Sequence, residues 1–102
     1  MLLAQPPQAF EVDREAGRIR YRDRLLQLTR YELLLLQTLL AKPGRIYSRA
    51  QLMDLVWSDA EAFDRTVDTH IKTLRSKLRE IDPNSDPIAT HRGLGYSIQV
   101  EP

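Results

Sequence analysis

Apolar and polar residues change rhythm three times along this chain, and each change predicts a new kind of element. Between residues 9 and 28 they alternate in three short stretches, 9–13, 18–21 and 24–28, with Glu15-Ala16-Gly17 and Arg22-Asp23 between them. A period of two broken by turn residues predicts a small antiparallel sheet with one wet face. At "TRYELLLLQTLL" the period lengthens. Thr29 and Glu32 form a T-x-x-E capping box, in which each side chain satisfies the other residue's free amide. Leucines at 33, 34, 35, 36, 39 and 40 cover most of the helix circumference, so this helix is expected at the centre, ended by Pro43-Gly44. "SRAQLMDLVW" repeats the device with Ser48 and Gln51, places Tyr47 to staple onto Leu52, and offers Leu52, Leu55 and Val56 as its apolar stripe. In "DRTVDTHIKTLRSKLR", Val67, Ile71, Leu74 and Leu78 fall at i, i+4, i+7 and i+11, one narrow inward stripe, and Asp82-Pro83-Asn84 stops the helix. "IATHRGLGYSIQV" reads as two alternating strands around Gly93-Leu94-Gly95, a hairpin whose glycines permit positive φ at the tip.

Composition adds limits rather than a function. The 102 residues suit one domain, and 42% hydrophobic residues are enough for a core. There is no cysteine, which excludes disulfides and thiolate metal sites, and the longest apolar run is far too short for a bilayer span. No signal peptide is evident at Met1-Leu2-Leu3, so a soluble cytoplasmic protein with no membrane partner is expected. The first eight residues, "MLLAQPPQ", read as a stiff linker remnant ahead of a domain spanning 9–102.

Charge matters through its placement. The total is close to neutral, with 15 basic and 14 acidic residues. Yet residues 65–79 hold five cations, Arg65, Lys72, Arg75, Lys77 and Arg79, against Asp68 alone. At 100° per residue, Arg65, Thr69, Lys72, Thr73 and Ser76 gather opposite the apolar stripe. Short hydroxyls and cations on one helix face suit a major groove, where a threonine methyl also packs on thymine. A plain solvated face is the alternative, with Asp68 supporting Lys72 or Arg75 along the helix. Arg92, just before the glycine tip, can reach a narrow minor groove from a two-stranded projection. Catalysis would have to enlist Asp64, Asp68, His70 and His91, but Asp68 and His70 diverge by about 160° around the helix. No phosphate loop, nucleophile elbow or HExxH pattern is present, so neither enzyme activity nor a metal or other cofactor is expected.

Four motifs in order, "LTRYELLLL", "SRAQLMDLVW", "DRTVDTHIKTLRSKL" and "THRGLGY", resemble the OmpR/PhoB family of winged-helix effector domains from bacterial two-component response regulators. The resemblance covers about residues 9–100. It implies an α+β fold, a winged helix-turn-helix with an N-terminal antiparallel four-stranded sheet, a three-helix bundle and a C-terminal β-hairpin wing. It further implies that the third helix lies in the major groove of double-stranded DNA and that the wing arginine enters the minor groove. By position, Arg65, Thr66, His70, Lys72 and Arg75 match phosphate-contacting sites, and Thr69 and Thr73 match base-facing ones, with Ser76 on the same face. Arg92 matches the wing arginine, with Thr90 beside it, while Trp57 and Tyr96 match aromatics whose polar tips touch the sugar-phosphate backbone.

One departure stands out. Relatives often carry a long basic residue where this chain has Thr73, and threonine cannot fork onto guanine. The loop "SDAEAF", with Asp59, Glu61 and Phe63, matches the segment through which relatives touch RNA polymerase. The resemblance also implies an upstream receiver domain under a sensor kinase, and two copies head-to-tail on direct repeats. A winged helix that binds protein instead of DNA is the rival reading. Near-neutral charge favours that rival, and a steep salt dependence of duplex binding would exclude it.

Overall fold

The computed structural model describes residues 9–57 and 64–99, with the backbone alone at residues 64 and 65. The expected linker at 1–8, the loop bearing Asp59, Glu61 and Phe63, and the Arg65 side chain therefore lie outside the described residues. The elements are β1 (Phe10–Asp13), β2 (Arg18–Tyr21), β3 (Arg24–Leu25), α1 (Arg30–Ala41), α2 (Arg49–Val56), α3 (Asp64–Ile81), β4 (Ile88–His91) and β5 (Gly95–Ile98). This is the expected α+β order of sheet, three helices and hairpin.

The first three strands form an antiparallel sheet in the order β1-β2-β3. Phe10 lies opposite Tyr21 and their rings stack at 4.7 Å, closing one end of the core. Arg22 and Asp23 join β2 to β3 with φ of 48° and 67°, the left-handed pair that a two-residue hairpin needs. The sheet holds three strands among the described residues, where the resemblance implies four, and β3 stops at Leu25 rather than running to residue 28. The cause is local. The Leu26 amide still donates to the Ile19 carbonyl at 3.0 Å, but the Gln27 carbonyl accepts from Lys77 Nζ at 2.6 Å and Thr29 then caps α1. The chain leaves the ladder because its next polar groups are committed to helices.

Both capping boxes form. The Thr29 amide donates to Glu32 Oε1 at 2.8 Å and the Glu32 amide to Thr29 Oγ1 at 3.3 Å. The Ser48–Gln51 pair repeats this at 2.9 and 3.1 Å. Leu35, Leu36 and Leu39 of α1 are fully buried, with Leu33, Leu34 and Leu40 packed partly around them, as a central helix requires. Along α3, Val67, Ile71, Leu74 and Leu78 are at most 1% exposed, so the narrow stripe faces inward as its spacing predicts. The stripe of α2 is a correction. Leu52 and Val56 are buried, with Met53 packed at their side, but Leu55 is 59% exposed. An eight-residue helix turned to bury 52, 53 and 56 leaves position 55 beyond the edge of that face.

The C-terminal hairpin is a separate two-stranded sheet, fixed to the entrance of α2. Tyr47 and Tyr96 exchange backbone hydrogen bonds at 2.8 and 2.9 Å, and the Gly44 amide donates to the Ile98 carbonyl at 2.9 Å. This close approach explains Gly95, whose φ is +139° and whose Cβ, if it had one, would sit 1.9 Å from the Tyr47 carbonyl oxygen. Among the described residues no helix is long and apolar enough to cross a membrane.

Candidate nucleic-acid interface

The face of α3 opposite the buried stripe is open. Thr69, Lys72, Thr73 and Ser76 are all exposed, and 69, 73 and 76 line one side of the helix at i, i+4 and i+7. Lys72 enters no ion pair among the described residues. Thr73 Oγ1 donates back to the Thr69 carbonyl at 3.0 Å, the usual way for a threonine hydroxyl to sit inside a helix. Side chains on this stripe are short apart from the lysine, so little separates the helix backbone from anything laid against it.

Around one edge of that face lies His70. Its ring sits 5.1 Å from the ring of Trp57 and 6.2 Å from that of Tyr31, both in edge-on geometry, while Tyr31 and Trp57 stack at 5.4 Å. His70 Nδ1 lies 2.8 Å from the Thr66 carbonyl, a pure acceptor, so Nδ1 carries the proton and Nε2 is the nitrogen left for another partner. Trp57 is buried at 4% exposure and acts here as a wall that orients the imidazole. Thr66 is half-buried at the start of the same helix.

The opposite edge of α3 is tied to the wing and to α2. Arg75 Nη2 donates to the Ile88 carbonyl at 2.9 Å and to Thr90 Oγ1 at 2.5 Å, and its Nε stands 3.7 Å from Asp86 Oδ1. Asp68 accepts from Arg49 Nε at 2.8 Å and from the Tyr96 hydroxyl. Sequence spacing suggests Lys72 or Arg75 as the partner of Asp68; the structure pairs it instead with a cation from the first turn of α2. The hydrogen bond from Arg49, reinforced by that from Tyr96, holds the Asp68 carboxyl below the usual carboxylate range despite partial burial. Burial together with the bond to Asp68 pushes the Tyr96 phenol up, so that hydroxyl stays protonated and donating. Lys77 points away from the open face altogether and pairs at 2.6 Å with Glu32, which is 2% exposed. Burial works against ionisation of Glu32, but the hydrogen bond from Lys77 and those from Thr29 more than offset it and lower its pKa.

The wing carries the remaining candidates. Arg92 is exposed beside Gly93, whose φ is +78°, and the Leu94 amide closes the turn on the His91 carbonyl at 2.8 Å. Thr90, exposed on β4, bears the hydrogen bond from Arg75. A shallow groove of about 210 Å³ runs between α2 and the wing, with Arg49, Thr90, Arg92 and Tyr96 among its walls. His91 Nε2 lies 2.7 Å from Ser97 Oγ, which is buried, so this second histidine braces the hairpin from within. Among the described residues no three His, Asp or Glu side chains gather as a metal cage.

The structure thus brings Thr69, Lys72, Thr73, Ser76 and His70 together on α3, with Arg92 beyond them on the wing. It turns the polar groups of Arg75 and Tyr96 inward. Reading the sequence missed Arg49 and Tyr31. For Arg49 a signal was present: a cation in the first turn of a helix opposes the macrodipole, which points to a carboxylate partner elsewhere. Tyr31 carried none, being one aromatic in a leucine-rich helix.

Residues 23–98 match the family described as "Transcriptional regulatory protein, C terminal". The chain belongs to this family, and its fold is that of the OmpR/PhoB-type winged-helix effector domains of response regulators. Over 91 residues it is 62% identical to the transcriptional regulatory protein CreB of Escherichia coli (strain K12), covering 88% of this chain and 40% of that protein. It is 43% identical, with the same coverage, to the phosphate regulon transcriptional regulatory protein PhoB of Rhizobium meliloti (strain 1021). The chain therefore spans 40% of the length of these two curated relatives. Among solved structures, the DNA-binding domain of the response regulator AdeR, in complex with an intercistronic region, superposes with a TM-score of 0.82 at 27% identity. That match covers 93% of this chain and 98% of the AdeR chain.

Proposed function

We propose that this domain binds double-stranded DNA sequence-specifically, as the output half of a two-component response regulator that controls transcription. One observation carries the reading: the Thr69, Lys72, Thr73 and Ser76 face of α3 stays open, with exposed Arg92 on a wing braced against the same helix. An α-helix fits the major groove, and a hairpin arginine fits the adjacent minor groove. Lys72, Arg65, Thr66 and the Nε2 of His70 take phosphates. Thr69, Thr73 and Ser76 face base edges, and Arg92 enters the minor groove. Arg75, Asp68, Tyr96 and Thr90 hold the wing at a fixed angle to the helix, and Trp57 holds His70. Their contribution to DNA binding is geometric.

Two copies act head-to-tail on direct repeats. A spacing of about 10–10.5 bp would put both on one side of the duplex. In the full-length protein a receiver domain under a sensor kinase would control that pairing, in the cytoplasm where the chromosome lies. The loop with Asp59, Glu61 and Phe63 is offered to RNA polymerase, so Asp59→Ala and Glu61→Ala should weaken transcription without weakening DNA binding.

The test of the main reading is selection of random duplexes by the purified chain, followed by sequencing. Enrichment of a tandem direct repeat is expected. Survivors with no common sequence would leave phosphate binding without readout, and no retention even at low salt would move the assignment to a protein-binding winged helix.

A further inference from the structure

The geometry points to Thr73 as a reader of thymine through its methyl group, giving the domain T-selectivity at the position where a basic residue would select guanine. The inference rests on the DNA-binding reading above and sharpens it. A threonine hydroxyl has one proton to donate. Here that proton is directed at the Thr69 carbonyl, one turn back at 3.0 Å, so Thr73 has no donor left for the acceptors on guanine or for thymine O4. What the exposed side chain still offers a base edge is its γ-methyl and the acceptor lone pairs of Oγ1. In the major groove only thymine presents an apolar group, its C5-methyl, and methyl-on-methyl contact is the match available. The exposed neighbours at 69 and 76 are also short, so along the 69–73–76 line no long side chain stands between the helix backbone and the base edges.

The two sides of the threonine can be separated chemically. Valine keeps the methyl and removes the hydroxyl; serine keeps a hydroxyl able to make the same backward bond and removes the methyl. Both changes sit on an exposed helix position where propensity differences are small. The probe is the duplex recovered by the random selection, with each thymine replaced in turn by deoxyuridine, which differs only by loss of the C5-methyl. Binding is followed by fluorescence anisotropy. For the wild-type chain, one thymine per half-site should lose about fourfold in affinity on replacement, the effect expected for one buried methyl-sized group. Thr73→Val should keep that loss, and Thr73→Ser should bind thymine and deoxyuridine duplexes alike at that position.

Retained binding with no sensitive thymine would overturn the methyl inference and leave DNA binding intact. So would a Thr73→Ser variant that still discriminates, or a Thr73→Val variant that no longer does; the second result would make the hydroxyl, not the methyl, responsible for the discrimination. Failure to recover any duplex would overturn both readings together.

Discussion

The open face of α3 and the flanks on either side of it carry the same kinds of residue and do opposite things. On the open side, Lys72 stands exposed and Thr69, Thr73 and Ser76 leave the helix uncovered. On the braced flanks, Asp68 joins α2 and the wing and Arg75 grips β4 along one edge, while Lys77 reaches to the start of α1 from the other. A tally of cations treats the whole helix as one basic surface; the contacts divide it into a surface for a partner and a set of struts. The difference teaches that a recognition helix needs both. An open face can read a duplex only if its angle to the wing is held by side chains that the duplex never meets.

The largest effect should come from the deepest strut. Lys77→Ala leaves the Glu32 carboxylate buried without its cation, which should cost about 3 kcal/mol in urea unfolding, since breaking a buried pair from one side strands a charge. Next in size, Arg75→Ala removes charged hydrogen bonds to the Ile88 carbonyl and Thr90. It should cost about 2 kcal/mol in stability and, at temperatures where the variant remains folded, blunt the contribution of Arg92 to binding. If Arg75→Ala leaves the Arg92→Ala effect on affinity unchanged, the wing is held without Arg75, by its backbone bonds to Gly44 and Tyr47 and by the Tyr96–Asp68 contact.

Acid should loosen the braced side first. Glu32 and Asp68 both have pKa values lowered in the folded state. The stability they contribute is therefore complete above their unfolded values, about 4, and is lost as pH falls through those values to the lower folded ones. A urea midpoint that drops as pH falls below about 5, with the drop reduced in Glu32→Gln, is the expected result. Asp68 is the more exposed of the two and should contribute the smaller part. The smallest change in stability belongs to the open side, where Lys72→Ala should lie within about 0.5 kcal/mol of wild type.

The same division governs what could be read from the residues alone. Helix α3 was legible because its period is local: Val67, Ile71, Leu74 and Leu78 set the buried face and so fix the exposed one. Both capping boxes were legible for the same reason, each bond spanning three residues. The struts were not. Arg75 finds Ile88 13 positions away, Arg49 finds Asp68 at 19, and Lys77 finds the Gln27 carbonyl at 50. Spacing sets Lys72 among the residues opposite the apolar stripe and leaves Lys77 outside that group, but it names no partner for Lys77. Only the packing of α1 against the helix supplies one, in Glu32 and the Gln27 carbonyl. Leu55 failed for a related reason, because three apolar residues on a short helix define a stripe too broad to say which edge is covered.

The most direct measurement is the slope of log affinity against log salt for the selected duplex, compared between wild type, Lys72→Ala and Lys77→Ala at a temperature where all three are folded. If the open face meets phosphates and the braced side does not, Lys72→Ala should reduce the slope by about 0.9, the share of one phosphate contact, and Lys77→Ala should leave it unchanged. Equal slopes in all three, or a reduction in Lys77→Ala alone, would contradict the division of α3 into a reading face and a set of struts.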